Sequence, residues 1–519
     1  LGLVSLASGV LGGKLASEAS AGFAANLRQD AYDKIQTFSF ANIDRFSTSS
    51  LITRLTTDIT SVQMSFQMSI RMLVRAPVMF IFASVMSFII EPQIAWIFLV
   101  AAAILFVFVL LIMNAAQPSF RQMFKKYDRL NAVAQENLTG IRVVKSYVLE
   151  GPEIEKYQKA TQEVYNYSVR AEKLLATMSP VVQVIMYATM IILLSVGGVS
   201  IVGGGLRIAD LTGLLSYATQ ILSGVMMVAM VLTFIAMSRP AMERISEILS
   251  EESTIKDPAD PVFEVRDGAI EFDHVSFAYR KGGAGEDVIK DVTLKIASGE
   301  TIGIIGQTGS AKTTLVSLIP RLYDATEGSV KVGGRDVKEY DLTALRDAVA
   351  MVLQKNVLFS GSVAENLRWG KEDATQEELE FACKQACADE FIEQLPGKYE
   401  YDLGQGGVNV SGGQKQRLCI ARALLKSPKV LILDDSTSAV DTKTDSRIRA
   451  ALREHAPDVT KLIIAQRINS VQDADRILVL DEGRVSGFGT HEELLKSNEI
   501  YRSIYESQTR GGDDHADAE

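Results

Sequence analysis

Hydrophobic positions are unevenly spread along this chain. Up to about residue 240 they form long apolar runs separated by polar stretches; beyond it they come in short bursts between Gly, Asp and Lys. Five runs, at about 1–23, 72–90, 93–113, 178–202 and 209–238, approach the roughly 20 residues that carry a helix across about 30 Å of hydrocarbon. The third is the clearest, and the first is interrupted by Lys14 and Glu18. Between them, 24–71 carries Arg28, Lys34, Arg45, Arg54 and Arg71, and 114–176 carries ten more basic residues, from Arg121 to Lys173. The turns at Glu91-Pro92 and 203–210 hold almost none. Basic loops stay in the cytoplasm, so both polar stretches and everything after the fifth run are expected there, in a multi-pass protein of the cell membrane. Five crossings then put Leu1 outside without a basic n-region or cleavage site, and parity calls for one more helix upstream. The polar stretches keep helical spacing, which predicts hairpins that extend the membrane helices, with tips near 39–47 and 149–156. Residues 1–245 are thus read as a helical transmembrane domain.

The composition then changes. Residues 246–268 are acidic, contain Pro258 and Pro261, and read as a linker. Short β-rich runs follow, such as AIEFDHVSFAY and VTLKI, within an α/β domain over 269–508. The remainder, 509–519, is acidic and expected to be disordered. With a net charge of −10 and a pI near 5.2, the chain has no general electrostatic attraction for nucleic acid. The mean hydropathy of +0.13 belongs to the apolar first half. Cys383, Cys387 and Cys419 cannot build a disulfide framework, and the scattered His274, His455, His491 and His515 form no metal cluster.

The chemistry-bearing residues lie in the second half. In ETIGIIGQTGSAKTTLVSLI an apolar strand enters a Gly-rich turn and a helix starts near Lys312, the setting of a phosphate-binding loop. Backbone N–H groups of Gly306, Gln307, Thr308, Gly309, Ser310, Ala311 and the start of the helix would face the anion. Lys312 would reach the β- and γ-phosphates, and the Thr313 hydroxyl would hold Mg²⁺. The motif wants glycine at 311, where a side chain in left-handed space costs about 1–2 kcal/mol, so nucleotide binding should be weakened. The run VLILD, 430–434, is a strand ending on an acid, which presents Asp434 as a ligand to the Mg²⁺ at a sheet edge. Val410-Ser411-Gly412-Gly413-Gln414 precedes a strongly helical run and makes a second anion-facing helix start.

In that order these motifs resemble, over nearly the whole chain, a half-subunit of a type IV ATP-binding-cassette (ABC) exporter of the multidrug-resistance kind. Gly306–Thr314 looks like Walker A, Val430–Asp434 like Walker B and Val410–Gln414 like the LSGGQ signature. Gln354 fits the Q-loop, a further Mg²⁺ ligand; Ala439-Val440-Asp441 fits the D-loop; Gln405 lies where exporters carry the X-loop; Tyr279 fits the aromatic that stacks on adenine. The resemblance implies two cassettes sandwiching two ATP molecules head to tail, each between one Walker A and the other signature. It also implies six membrane helices per half-subunit, consistent with a missing first helix, and coupling helices at the hairpin tips.

Three residues depart from the pattern. Asp435 stands where active cassettes carry a Glu general base, which withdraws the carboxylate by about 1–1.5 Å. Gln466 replaces the switch His and cannot carry an imidazolium charge. Ala311 is the third, and all fall on the ATP site of this chain's own Walker A. They point to an asymmetric heterodimer: this half binds ATP at a degenerate site and lends Ser411, Gly412, Gly413 and Gln414 to a competent site on a second half-transporter. The expected cargo is a small amphiphile. A slow homodimer, an ATP-gated regulatory subunit, and a lipid or peptide exporter are the alternatives.

Overall fold

The computed structural model describes residues 2–279, 286–435 and 440–513. It divides into two compact units, one built from residues up to Gln36 with Thr48–Glu251, the other from Thr37–Ser47 with Glu252 onward.

The first unit is all helix. Long helices run Gly2–Gln36, Ile59–Ile90, Pro92–Thr139, Glu150–Ala176, Met178–Val202 and Ile208–Ser250. Among the described residues, four continuous helical stretches are long and apolar enough to cross a membrane: Thr48–Ile90, Pro92–Thr139, Glu150–Val202 and Ile208–Ser250. The expected first crossing at 1–23 is not one of them. That stretch is helical, but it carries an exposed Lys14–Glu18 pair at 3.7 Å. Its buried positions are small: Ala16, Ser20, Ala24 and Ala31, one stripe that lets another helix approach closely. The main core of this unit repeats at helical spacing, with Ile94, Phe98, Ala101, Leu105 and Val109 facing Leu211, Leu214, Ala218, Ile221 and Val225.

Two charged contacts fix the ends of these helices. Arg244 donates to both carboxylate oxygens of the buried Asp58, at 2.7 and 2.6 Å. Arg54 pairs with Glu247 at 2.9 Å.

The second hairpin turns earlier than its sequence suggests. Pro92–Thr139 ends at Gly140, a short helix covers Ile141–Ser146, and Val148 takes a left-handed φ of 56° before the next helix begins at Glu150. The expected tip at 149–156 is therefore already ascending helix. Pro152 falls in the first turn, where its missing N–H has no intrahelical partner to lose. The first tip does fall at 39–47, as a short helix Phe40–Arg45 capped by Ser39 and Asn42.

The second unit holds two sheets. A four-stranded antiparallel sheet has the order β2-β1-β4-β5, with β1 Ile270–Phe277, β2 Ile289–Ile296, β4 Glu327–Val332 and β5 Arg335–Asp336. A six-stranded sheet has the order β10-β9-β3-β8-β7-β6, with β3 Thr301–Gly306, β6 Val349–Val352, β7 Val430–Asp434, β8 Thr460–Ile464, β9 Arg476–Asp481 and β10 Arg484–Gly489. Strands β6, β7, β8, β3 and β9 are mutually parallel, and β10 closes the edge antiparallel. β7 and β8 are buried along their whole length, which suits the apolar runs Val430–Leu433 and Leu462–Ile464; the buried Lys461 of β8 donates to Ala456 O and Val459 O.

The expected linker is not free chain. The helix Ile208–Ser250 fills its first residues, Ile255 and Val265 are buried, and Val262 N donates to Glu339 O at 2.9 Å. The expected disordered tail starts as helix, since Glu499–Asp513 is continuous and the Thr509 hydroxyl donates to Tyr505 O at 2.6 Å. Residues 514–519 lie outside the described residues.

Candidate functional site

The phosphate-binding loop hangs from β3, held between β8 and β9. At its start a Cβ on Gly306 would run into Leu480 O and Ser310 Oγ, so only glycine fits. Gly309 has φ +86° and nothing within 4 Å of where its Cβ would be, which leaves the backbone open to close approach. Ala311 adopts φ 70°, ψ 23° and forms the N-cap of the helix Lys312–Ser317 without any side-chain cap bond. The left-handed conformation expected of this position is thus present, with a β-carbon in it. Lys312 Nζ donates to Gly306 O and Gln307 O, both at 2.8 Å, and to Ser310 Oγ at 3.2 Å. Burial pushes the Lys312 ammonium below its usual pKa, while Asp434 and Asp435 push it back up. An uncapped helix start, an open Gly309 and a centred ammonium fit the phosphates of a nucleotide.

Beside the loop, the Thr313 hydroxyl donates to both oxygens of Asp434, at 3.0 and 2.9 Å. Asp434 ends β7 and is 2 % exposed. Burial raises its pKa first, and the charge of Asp435 adds to that; Thr313 and Lys312 oppose. Among the described residues no group of three or more His, Cys, Asp or Glu could hold a metal. One carboxylate and one hydroxyl fit Mg²⁺, which keeps waters and takes further oxygens from substrate phosphates. Gln354 is exposed on the segment after β6, and among the described residues no hydrogen bond joins it to Thr313 or Asp434.

The two substituted catalytic positions touch each other. Gln466 Nε2 donates to Asp435 Oδ2 at 2.7 Å. Asp435 is 9 % exposed with φ 47°, and its N–H donates to Ile464 O at 3.1 Å. Gln508, on the C-terminal helix, grips the same segment: its Nε2 donates to Gln466 O at 2.8 Å, and its Oε1 accepts from Ile468 N at 2.9 Å. Nothing in the sequence pattern singled out Gln508, because its partners are main-chain atoms some 40 residues away.

Tyr279 follows β1 and is partly exposed; its hydroxyl lies 3.0 Å from the Thr314 hydroxyl, which joins it to the loop helix. Tyr323, which no motif contains, meets the Tyr279 ring edge-on with centroids 5.3 Å apart.

The signature residues form a separate group. Ser411 caps the helix Gly412–Leu425, accepting from Gln414 N at 3.3 Å while Gln414 Oε1 accepts from Ser411 N at 2.8 Å. Ser411, Gly412 and Gly413 line a cavity of about 340 Å³ with Arg417, Val440 and Asp441. Lys415 donates to Gly406 O at 2.8 Å, tying Gln405–Gly407 to this helix. Asp441 caps the helix Thr442–His455; Ala439 lies outside the described residues. Among the described residues, no hydrogen bond joins Ser411–Gln414 to the 306–314 loop.

Two family models match the chain: the ABC transporter transmembrane region over residues 1–226 and the ABC transporter domain over 289–438. The ABC transporter ATP-binding protein YfiB of Bacillus subtilis (strain 168) is 36 % identical over 508 residues, 98 % of this chain and 88 % of that protein. This chain belongs to the ABC transporters. Another relative, the probable multidrug resistance ABC transporter ATP-binding/permease protein YheI of B. subtilis (strain 168), is 32 % identical over 93 % of this chain and 82 % of its own length. The fatty acid ABC transporter ATP-binding/permease protein of Mycobacterium tuberculosis (strain CDC 1551 / Oshkosh) is 32 % identical over 92 % and 75 %. The solved structure of a bacterial Atm1-family ABC exporter with ATP bound superposes with a TM-score of 0.84, at 25 % identity, over 95 % of this chain and 86 % of that one. The ABC half-transporter described here is therefore a multi-pass membrane protein of the type IV exporter fold, with a helical transmembrane domain followed by an α/β nucleotide-binding domain.

Proposed function

We propose that this chain is the degenerate half of a heterodimeric, ATP-driven exporter. Its own Walker residues hold MgATP and cleave it slowly; its Ser411–Gln414 segment completes the cleaving site of a partner half-transporter that keeps Glu and His. The observation that carries this reading is the 2.7 Å bond from Gln466 to Asp435. A general base must meet the proton of its water within roughly 2.6–3.2 Å, and this shortened carboxylate is already engaged by a neutral amide. The left-handed Ala311 supports the same conclusion at the phosphate end of the site.

In this role Lys312 neutralises β- and γ-phosphate charge, the loop N–H groups orient the chain of phosphates, and Tyr279 stacks on the base. Thr313 and Asp434 would hold Mg²⁺, which would supply charge neutralisation to the phosphates. Gln466 offers its amide to Asp435 and brings no positive charge to the reaction.

Relatives named for multidrug resistance and for fatty acids support an amphiphilic cargo taken from or through the bilayer, with the nucleotide-binding domain in the cytoplasm. The test is uptake of a fluorescent amphiphile and of a labelled fatty acid into inverted vesicles holding the co-expressed pair. Vanadate-sensitive, ATP-dependent uptake of either supports the exporter and names its cargo class. Nucleotide binding without any uptake favours a regulatory subunit.

A further inference from the structure

The last helix, Glu499–Asp513, lies on the cassette core by one face. Tyr501 is fully buried there, and Ile504 and Tyr505 pack against the same core. The Tyr501 hydroxyl lies 2.6 Å from His491 Nδ1, and its N–H donates to Asn498 Oδ1 at 2.8 Å. Positions 501, 504, 505 and 508 follow one another at i, i+3, i+4 and i+7, so the docking face continues into Gln508. The side chain there is an amide, and it meets the chain between β8 and β9. Its Nε2 donates to Gln466 O at 2.8 Å, and its Oε1 accepts from Ile468 N at 2.9 Å. These two main-chain groups flank Arg467, which has the extended φ −101° and ψ 131°. In extended chain the C=O of one residue and the N–H two residues on point to the same side, so one amide takes both as a neighbouring strand would.

Asn498 shows what a structural amide in this region does. Its Nδ2 donates to Ser486 O and Oγ, both at 3.0 Å, and its Oδ1 caps Tyr501 N; these bonds tie the helix to the edge strand β10. The Gln508 bonds land elsewhere, on the main chain of a residue whose own side chain donates to Asp435 Oδ2 at 2.7 Å. Ala465 and Ile468 are buried and hold the ends of this stretch, while Gln466 and Arg467 between them are exposed. The Gln508 amide spans that exposed part. Fixing Gln466 O and Ile468 N fixes the course of the backbone, and with it the direction from which the Gln466 amide reaches the carboxylate.

We infer that Gln508 is a positioning residue for this chain's ATP site: it holds the 466–468 backbone so that the Gln466 amide stays on Asp435, and this latch keeps the site slow. The inference rests on the reading that Asp435 and Gln466 stand at the cleaving end of that site. Gln508 acts through Gln466 and not on the reacting atoms.

The experiment measures phosphate release per bound nucleotide by the full chain in lipid nanodiscs at saturating MgATP. ATP affinity is measured in parallel with a fluorescent analogue. Gln508→Ala breaks both bonds at an exposed position. It should raise release about three- to ten-fold, the scale of one or two exposed hydrogen bonds, and leave affinity within about two-fold. Gln508→Glu keeps the acceptor for Ile468 N but sets a carboxylate against Gln466 O, and should raise release at least as much. Gln466→Ala removes the held amide and should itself raise release about tenfold or more. Adding Gln508→Ala to that variant should change release by less than about two-fold, because the two residues act as one unit. A helix that merely stabilises the fold would instead act by the same factor in both backgrounds. Release by Gln508→Ala within about two-fold of the parent, with ATP bound normally, overturns the inference and leaves the nucleotide site standing. An equal rise with Gln466 already removed overturns it as well. Failure of the parent chain to bind ATP overturns the site reading and the inference with it.

Discussion

Replacing Asp435 by Glu restores the residue type that cleaving cassettes carry, yet it should recover little activity here. The bond from Gln466 Nε2 to Asp435 Oδ2 is 2.7 Å long and only partly buried, between an exposed glutamine and a carboxylate that is 9 % exposed. A hydrogen bond to a charged acceptor contributes roughly 1.5–3 kcal/mol, and exposure places this one near the lower end, about 1.5–2 kcal/mol. Freeing the carboxylate to take a proton therefore costs about 10- to 30-fold in rate, at 1.36 kcal/mol per tenfold. A well-placed general base contributes about 10²–10⁴-fold in all. The longer Glu side chain gains reach but stays within range of the same amide donor, and Ala311 is unchanged. Asp435→Glu alone is thus expected to raise phosphate release less than about tenfold, and Asp435→Glu/Gln466→His about 10²–10³-fold. The assay is phosphate release by the full chain in nanodiscs at saturating MgATP, normalised to bound nucleotide. A hundredfold gain from Asp435→Glu by itself would refute the reasoning, because the Gln466 bond and Ala311 would then not matter.

Ala311→Gly removes a β-carbon at φ 70°; relief of about 1–2 kcal/mol less about 0.4–1 kcal/mol of added unfolded-chain entropy should leave the folded chain between unchanged and about 1.6 kcal/mol more stable, read as an equal or higher thermal unfolding midpoint of the full chain. Ser411→Ala in the co-purified pair should cut total turnover more than about tenfold, on the scale of a lost transition-state donor, while filter-retained ATP on this chain stays the same. His274 lies 2.7 Å from Asp291, and that bond first, with the Asp291 charge, raises its pKa above the usual 6.5. The pair's contribution is complete below the ordinary imidazole pKa and is lost as pH rises through the raised one; NMR titration should show the raised value in the parent and its return toward 6.5 in Asp291→Asn.

Much of the site was legible because its parts are local. A strand, a Gly-rich turn and a helix start within about fourteen residues place Gly306, Gly309, Lys312 and Thr313 by chain geometry alone. The left-handed backbone at Ala311 followed from the glycine normally required there. What the sequence hid was contact over long separations. Asp435 and Gln466 were each read as a defect, and only the fold shows one donating to the other. Tyr323 and Gln508 carry no motif, so their partners Asp44 and Gln466 appear only in three dimensions. The second hairpin misled for a local reason: Glu150-Gly151-Pro152 has the composition of a turn, but Pro is equally at home in a helix's first turn, and Gly140 ends the preceding helix instead. The linker looked free because its apolar residues, Ile255, Val262 and Val265, are too widely spaced to show a period.

The most direct measurement is the fate of nucleotide on this chain alone. The purified full chain, in nanodiscs with Mg²⁺ and radiolabelled ATP, would be incubated, stripped of free nucleotide, and its bound label separated by thin-layer chromatography. Retention mainly as ATP, with little phosphate released, is the predicted result. Rapid conversion to ADP with matching phosphate release by the chain as a self-pair would contradict it.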